Sequence, residues 1–484
     1  MGSAVRKGAI WSAGGTIMLR LSNVVVMALV ARILSPEDFG VFALAITVHA
    51  FLISLAELGV AASIARADLD LEKIAPTVST IAIVSSLALA APMFLLAAPL
   101  ALLLGSAEAA DAIRILSIGV AFIGPFAVPG AILQREFRQH MVFVATIAGF
   151  LPGSTFLVWS ALTGGGVEAL AWSRVLAQAI SGLVMILCLR KFYRPGLRWT
   201  IVGPLLGFGL PLAMSNLLSQ VLLNIDNVFV ARLLGVEELG AYSIAFAVSV
   251  WSTAVLGTML NSVVLPGITS VVRDGGALDE AVASAVRIVA WVAAPICTLT
   301  FAFASPLIRM VYGRQWDASG PVLRSLAVYG FVFVLGLLFA NVIIATGRTS
   351  ALFWVQFFAL LALLPALPLG ISIGGLVGAG WAHVAVVACV TLPAYLYSLR
   401  KTTGIRLASI LTETLPPLAA AVVAATIAYF ATMTFSSATT QTLFGGSLGT
   451  ILYLGMTWRT GRRILFPGLN RTAITQAPLG RSRS

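Results

Sequence analysis

ARILSPEDFG, residues 31–40, and ARLLGVEELG, residues 231–240, are two versions of one turn. Ala31 and Ala231, Arg32 and Arg232, Leu34 and Leu234, Glu37 and Glu237, and Gly40 and Gly240 coincide at an offset of 200 residues, and each turn leaves one long apolar run and enters another. A match of that quality at the same point of two hydrophobic hairpins marks an internal duplication. The competing explanation is that membrane turns draw on few residue types and so look alike.

Working outward from the turns, the chain is 59% hydrophobic and 10% charged, against roughly 45–50% and 25% in soluble domains. Residues 77–107, 141–167, 199–225 and 239–272 carry no Asp, Glu, Lys or Arg, and each exceeds the ~20 residues a helix needs to cross the hydrocarbon core. Residues 349–399 and 414–458 are charge-free and long enough for two crossings apiece. A soluble fold has nowhere to put them. The reading is an all-α polytopic membrane protein.

The net charge of +12 raises the question of a nucleic-acid partner, but the charges alternate with the apolar runs. Of the 30 Lys and Arg residues, 21 sit on every second connection, among them Arg66, Lys73, Arg135, Arg138, Arg190, Lys191, Arg400, Lys401 and the arginines after 458. The connections between hold only Arg32, Arg114, Arg232, Arg309, Arg314 and Arg324. By the positive-inside rule both termini are cytoplasmic and the number of spans is even. The charge is a topology signal, and no nucleic acid is expected. Cys188, Cys297 and Cys389 lie in apolar runs and give no disulfide framework. Arg20 interrupts the would-be core of a secretory signal, so the first helix is expected to stay attached.

About fourteen transmembrane helices follow from the apolar runs. Six belong to an N-terminal lobe at 1–189, a basic cytoplasmic linker occupies 190–202, and six more form a C-terminal lobe at 203–398. Two additional helices lie within 399–458, and a basic cytoplasmic tail covers 459–484. An even six spans per copy makes the repeat parallel, with a pseudo-two-fold axis along the membrane normal and a substrate path between the lobes.

Polar residues inside spans are costly and therefore mark function by default. In the first span Ser12, Thr16, Arg20 and Asn23 are spaced 4, 4 and 3, which puts them on one helical face. In the seventh, Asn216, Gln220, Asn224 and Asn227 repeat that spacing, with Thr16 matching Asn216 and Arg20 matching Gln220. The stripes either line one cavity or glue the bundle by interhelical hydrogen bonds. Glu57, in the second span, is a plausible partner for Arg20. Asp226 offers a carboxylate that can take a proton or Na⁺, or that can receive hydrogen bonds from neighbouring helices. Arg174, Gln178 and Ser181 form a third stripe, in span six. Arg287 is expected to snorkel to the inner surface. His49 and His383 are expected to be packing residues, and Arg32 and Arg232 to anchor helix ends or pair with the acids beside them.

The sequence resembles the polysaccharide transporter branch of the multidrug/oligosaccharidyl-lipid/polysaccharide (MOP) flippase superfamily, the Wzx-type exporters. The resemblance rests on Val30–Gly40, on Glu57-Leu58-Gly59, on LQREFR at 133–138, on NIDNVFVARLLG at 224–235 followed by GAYSIA, and on ATGRTS at 345–350. It implies two six-helix lobes with a cavity between them plus two extra helices, flipping an undecaprenyl-diphosphate-linked oligosaccharide outward across a bacterial plasma membrane. It also implies membrane lipids and a polysaccharide polymerase or glycosyltransferase machinery as partners. The long basic tail is not something the family requires. Arg suits a diphosphate and amides suit sugar hydroxyls, so the substrate-binding candidates are Arg20, Thr16, Asn23, Asn216, Gln220, Asn224, Asn227, Arg174 and Gln178. Asp226 and Glu57 are the candidates for coupling to H⁺ or Na⁺, with no metal or other cofactor and no enzymatic activity expected.

Two other classes compete. An ion-coupled multidrug exporter has the same architecture but calls for acidic rather than basic midplane residues. A membrane glycosyltransferase or polysaccharide ligase needs acidic pairs or histidines near the outer surface, and the outer connections are short.

Overall fold

The computed structural model describes residues 18–56, 64, 70–189, 194–259, 265–273, 277–347, 349–405 and 407–465. Every regular element among them is helical. In chain order these are α1 (Met18–Val30), α2 (Pro36–Ala56), α3 (Leu71–Leu95), α4 (Ala97–Leu104), α5 (Ala109–Arg135), α6 (Gln139–Leu162) and α7 (Gly166–Leu189). There follow α8 (Trp199–Leu234), α9 (Val236–Met259), α10 (Leu265–Arg273), α11 (Leu278–Ala302), α12 (Ala304–Val311) and α13 (Ser319–Ala345). The last are α14 (Thr349–Val386), α15 (Leu392–Thr403), α16 (Leu407–Thr432), α17 (Ala438–Met456) and α18 (Trp458–Leu465).

Ten helical stretches among the described residues are long and apolar enough to cross a bilayer. One of them is the 52-residue stretch Ser350–Lys401, far too long for one crossing of roughly 30 Å at 1.5 Å per residue. It bends inside α14, where Gly374 (φ −131°, ψ 17°) and Gly375 (φ 55°, ψ −138°) leave helical geometry. A Cβ disfavours that second conformation, so the glycine pair makes the corner between the two crossings that the charge-free run 349–399 is long enough to hold. The helices are consistent with the fourteen crossings expected. Large apolar side chains such as Ile373 (87% exposed) and Leu95 (76%) stand on the surface, which is stable against lipid rather than water. This is a multi-pass membrane protein.

By packing, the chain forms two compact units. The first comprises Met1–Ile244, Val311–Ala318 and Leu367–Ala379; the second comprises Ala245–Met310, Ser319–Ala366 and Gly380–Ser484. This division does not follow the repeat, because α8, the first helix of the second copy, packs on α2 of the first.

Within the first unit α2 is central, packed against α3, α5, α7 and α8. Its start is fixed locally: the Ser35 hydroxyl accepts from the Asp38 N–H (3.1 Å) and the Asp38 carboxylate accepts from the Ser35 N–H (3.0 Å). These two bonds close a capping box over SPED. The Arg32 Nε, four residues before the helix, donates to the Val311 carbonyl at 3.1 Å. Trp316, fully buried, donates its indole N–H to the Ala31 carbonyl at 2.7 Å and meets Phe39 edge-on. The second copy of the turn is covered differently, with Gly105 lying against Ala231 and Arg232.

The two copies of the turn also touch each other. A methyl group placed on Gly40 would overlap the Val236 carbonyl oxygen, and one placed on Gly240 would overlap the Pro36 carbonyl oxygen. The contact is reciprocal at the same 200-residue offset as the repeat. The repeat is therefore a packing surface and not only a shared turn, and the glycines at 40 and 240 are what let two helix backbones meet.

In the second unit α11 is central, packed on α13, α16 and α17. Arg287, expected from the sequence to snorkel to the inner surface, has a partner on α16. Its Nε and Nη2 donate to the two carboxylate oxygens of Glu413 at 2.5 and 2.6 Å. A fork held by two charge-assisted bonds offsets the partial desolvation of both groups. Glu413→Ala is expected to destabilise the protein by about 1–2 kcal/mol, between the limits for exposed and buried pairs. The exchanged pair Arg287→Glu with Glu413→Arg should recover most of that in thermal unfolding of the detergent-solubilised protein.

Candidate functional site

The candidate residues lie on α1, α7 and α8, all in the first unit. Thr16 and Glu57 fall outside the described residues. Arg20 and Asn23 are exposed on α1, and Asn216 is exposed and Gln220 half-buried on α8. On α7, Arg174 is exposed, while Gln178 donates from Nε2 to the Gly119 carbonyl of α5 at 2.9 Å. His49 approaches Gly119 beside Gln178 and is 2% exposed, with Nδ1 buried and unpartnered.

Further along α8 the polar stripe turns into interhelical bonds. Asn224 donates to the Gln220 carbonyl of its own helix at 2.8 Å, and Asn227 donates from Nδ2 to the Thr47 hydroxyl of α2 at 3.0 Å. Thr47 is fully buried and its hydroxyl donates to the Ala43 carbonyl at 2.8 Å. The stripe is thus exposed at Asn216 and used for packing at Asn227. Helical spacing alone does not separate these uses, because it fixes the face and not what faces it.

Asp226 is 1% exposed. Its Oδ2 accepts from the Tyr242 hydroxyl of α9 at 2.7 Å, and its Oδ1 accepts from the Asn227 backbone N–H at 3.0 Å. At the equivalent positions of the first copy stand Val26 and Phe42. The carboxyl and the phenolic hydroxyl are present together in one copy and absent together in the other. A buried acid without donors costs several times what a satisfied one does, which accounts for the paired difference. Tyr242 and Thr47 are the residues that sequence reading passed over. Aligning the copies one helix further would have shown Tyr242 against Phe42.

The candidates are thus amides and arginines on apolar helices, with one buried acid beside them. A family model described as "Polysaccharide biosynthesis protein" matches residues 29–321. The chain belongs to that family. Among curated relatives, the lipopolysaccharide biosynthesis protein WzxC of Escherichia coli (strain K12) is 24% identical over 403 residues, covering 82% of this chain and 81% of the relative. The succinoglycan biosynthesis transport protein ExoT of Rhizobium meliloti (strain 1021) is 26% identical over 467 residues, covering 94% and 92%. Among solved structures, the lipid II flippase MurJ in an inward closed conformation superposes with TM-score 0.77 at 15% identity, covering 96% of this chain and 100% of that one. An inward-facing multidrug resistance MATE transporter of the MOP superfamily gives 0.61 at 16%, covering 80% and 98%. The fold of this polysaccharide biosynthesis family member is that of MurJ and MATE transporters, as the resemblance in the sequence implied.

Proposed function

We propose that the protein flips a lipid-linked oligosaccharide outward across a bacterial inner membrane for cell-surface polysaccharide biosynthesis. The observation that carries this is the exposed set Arg20, Asn23, Asn216 and Arg174 on helices of otherwise apolar composition. Guanidinium groups are suited to a diphosphate and amides to sugar hydroxyls, so the polar head crosses along these faces while its lipid chain stays in the bilayer. Membership of the polysaccharide biosynthesis family and the functions named for WzxC and ExoT support the same reading. The chain acts as a transporter and not an enzyme, with both termini cytoplasmic and two lobes at 1–189 and 203–398 related by the repeat. Polymerase and glycosyltransferase machinery supplies and consumes the lipid-linked glycan.

Asp226 is the residue through which an H⁺ or Na⁺ gradient would act, and Glu57 would serve Arg20. Reconstituted vesicles given a fluorescently labelled undecaprenyl-diphosphate oligosaccharide, with and without H⁺ and Na⁺ gradients, test the assignment. Accumulation of label on the outer face is expected, and its absence under every gradient would overturn the proposal.

The repeat supplies a control for coupling. The double variant Asp226→Val with Tyr242→Phe reproduces the first copy's Val26 and Phe42. It should fold with a smaller loss than Asp226→Val alone, since the single variant removes the carboxylate that accepts from the Tyr242 hydroxyl. Export by the double variant should no longer respond to the gradient. Unchanged gradient dependence would make Asp226 a purely structural acid.

A further inference from the structure

The basic end of the chain is not used by the reading above. From residue 414 to 484 there is no Asp or Glu, while Arg459, Arg462, Arg463, Arg471, Arg481 and Arg483 are all present. Three of the six fall in α18, whose sequence is WRTGRRIL. At 100° per residue, positions 459, 462 and 463 fall within one arc of roughly 100°, opposite positions 461 and 464. Trp458 borders the basic arc and is 66% exposed.

α18 starts one residue after α17 and is docked rather than trailing. Thr457, between them, accepts a proton from the Trp291 indole of α11 at 3.0 Å and donates to the Tyr453 carbonyl at 2.8 Å. Gly461 is buried on the same indole: a side chain there would collide with it. The Tyr453 hydroxyl donates to the Trp291 carbonyl at 2.7 Å. Next to this joint, Thr460 and Thr457 line a recess of about 360 Å³ with Arg287 and Glu413. Glu413 is held by Arg287 through both oxygens, so it is committed and does not neutralise the arginines of α18. Arg459 and Arg462 are exposed.

We infer that α18 is a membrane-surface helix whose arginine face binds the phosphates of anionic phospholipids in the leaflet next to the inner end of α17. A short helix with a basic arc, an apolar edge and a tryptophan at its border lies in the headgroup layer. Its seat on Trp291 keeps the arc at the depth where α17 leaves the membrane. Three arginines at the strength usual for juxtamembrane basic residues give on the order of a hundredfold preference for an anionic over a zwitterionic surface. The inference rests on the proposed cytoplasmic orientation only for which leaflet is bound.

Full-length protein in nanodiscs, which present one lipid mixture on both faces, tests it without any export measurement. Amide hydrogen exchange of residues 458–465 is compared in phosphatidylcholine discs and in discs with added phosphatidylglycerol. Exchange is expected to slow several-fold in the anionic discs. The variant R459Q/R462Q/R463Q should lose that difference, and R459K/R462K/R463K should keep it, with exchange in α11 unchanged throughout. Equal wild-type exchange in the two discs, or a difference surviving in the glutamine variant, would overturn the inference. So would protection produced in phosphatidylcholine discs by soluble pyrophosphate, which would mark the face as a site for free anions.

Discussion

Gly40→Ala is expected to destabilise the protein by about 3 kcal/mol, the upper end for an added methylene in a packed site. The methyl would overlap the Val236 carbonyl oxygen. A flexible side chain could turn away from it, whereas a main-chain oxygen at a helix start moves only with its helix. Gly240→Ala meets the Pro36 carbonyl in the same way and should cost a similar amount. The two effects should not add: once α2 and α9 have been pushed apart for one methyl, most of the room for the second already exists. Gly446→Ala in α17 is the control, because nothing lies within 4 Å of that position and Ala is the better helix former by about 1 kcal/mol. Thermal unfolding of the purified protein in detergent measures all four variants. A Gly40→Ala protein as stable as the Gly446→Ala control would contradict the reciprocal contact.

Arg20→Ala is expected to leave insertion and unfolding temperature nearly unchanged and to stop export. Arg20 is exposed on α1, so its removal creates no packing defect, and exposed substitutions of this kind usually stay within ~0.5 kcal/mol. Export depends on it for another reason. Hydrogen bonds to a charged group contribute roughly 1.5–3 kcal/mol each, so losing a two-pronged guanidinium contact to a diphosphate lowers transport by about a hundredfold or more. Arg20→Lys keeps the charge and loses the planar fork, which should place it between wild type and Arg20→Ala. Complementation of a strain lacking the exporter, scored by surface polymer, and vesicle transport both report the outcome. Normal polymer export by Arg20→Ala would remove the basis of the proposed head-group contact.

Much of the fold was legible because membrane helices must be long, apolar and flanked by charge. The corner at Gly374–Gly375 and the start of α2 at SPED follow from local residues alone. What the sequence left open concerns partners far apart along the chain. Glu413 borders a charge-free run and gives no sign that it lies across from Arg287, 126 positions away. Arg32 stands beside acids in the sequence and bonds a carbonyl 279 positions away, at 311. Asp226 reads as a site or as a buried acid until its neighbour is known, and the neighbour is a tyrosine 16 residues on. The repeat registered Gly40 with Gly240 at once, but matching letters cannot say that the two glycines meet.

The glycine corner has a consequence for how the protein is made. Unbent, the 38 residues of α14 would run about 57 Å, nearly twice the hydrocarbon thickness. Residues 349–399 offer the translocation machinery no charge with which to orient either half. The nearest are Arg348 before them and Arg400 and Lys401 after them, and the proposed orientation puts both on the cytoplasmic side. In that orientation the two spans would enter the bilayer as one hairpin, pulled in by their shared apolar length and oriented by its stem, with no polar loop to carry across.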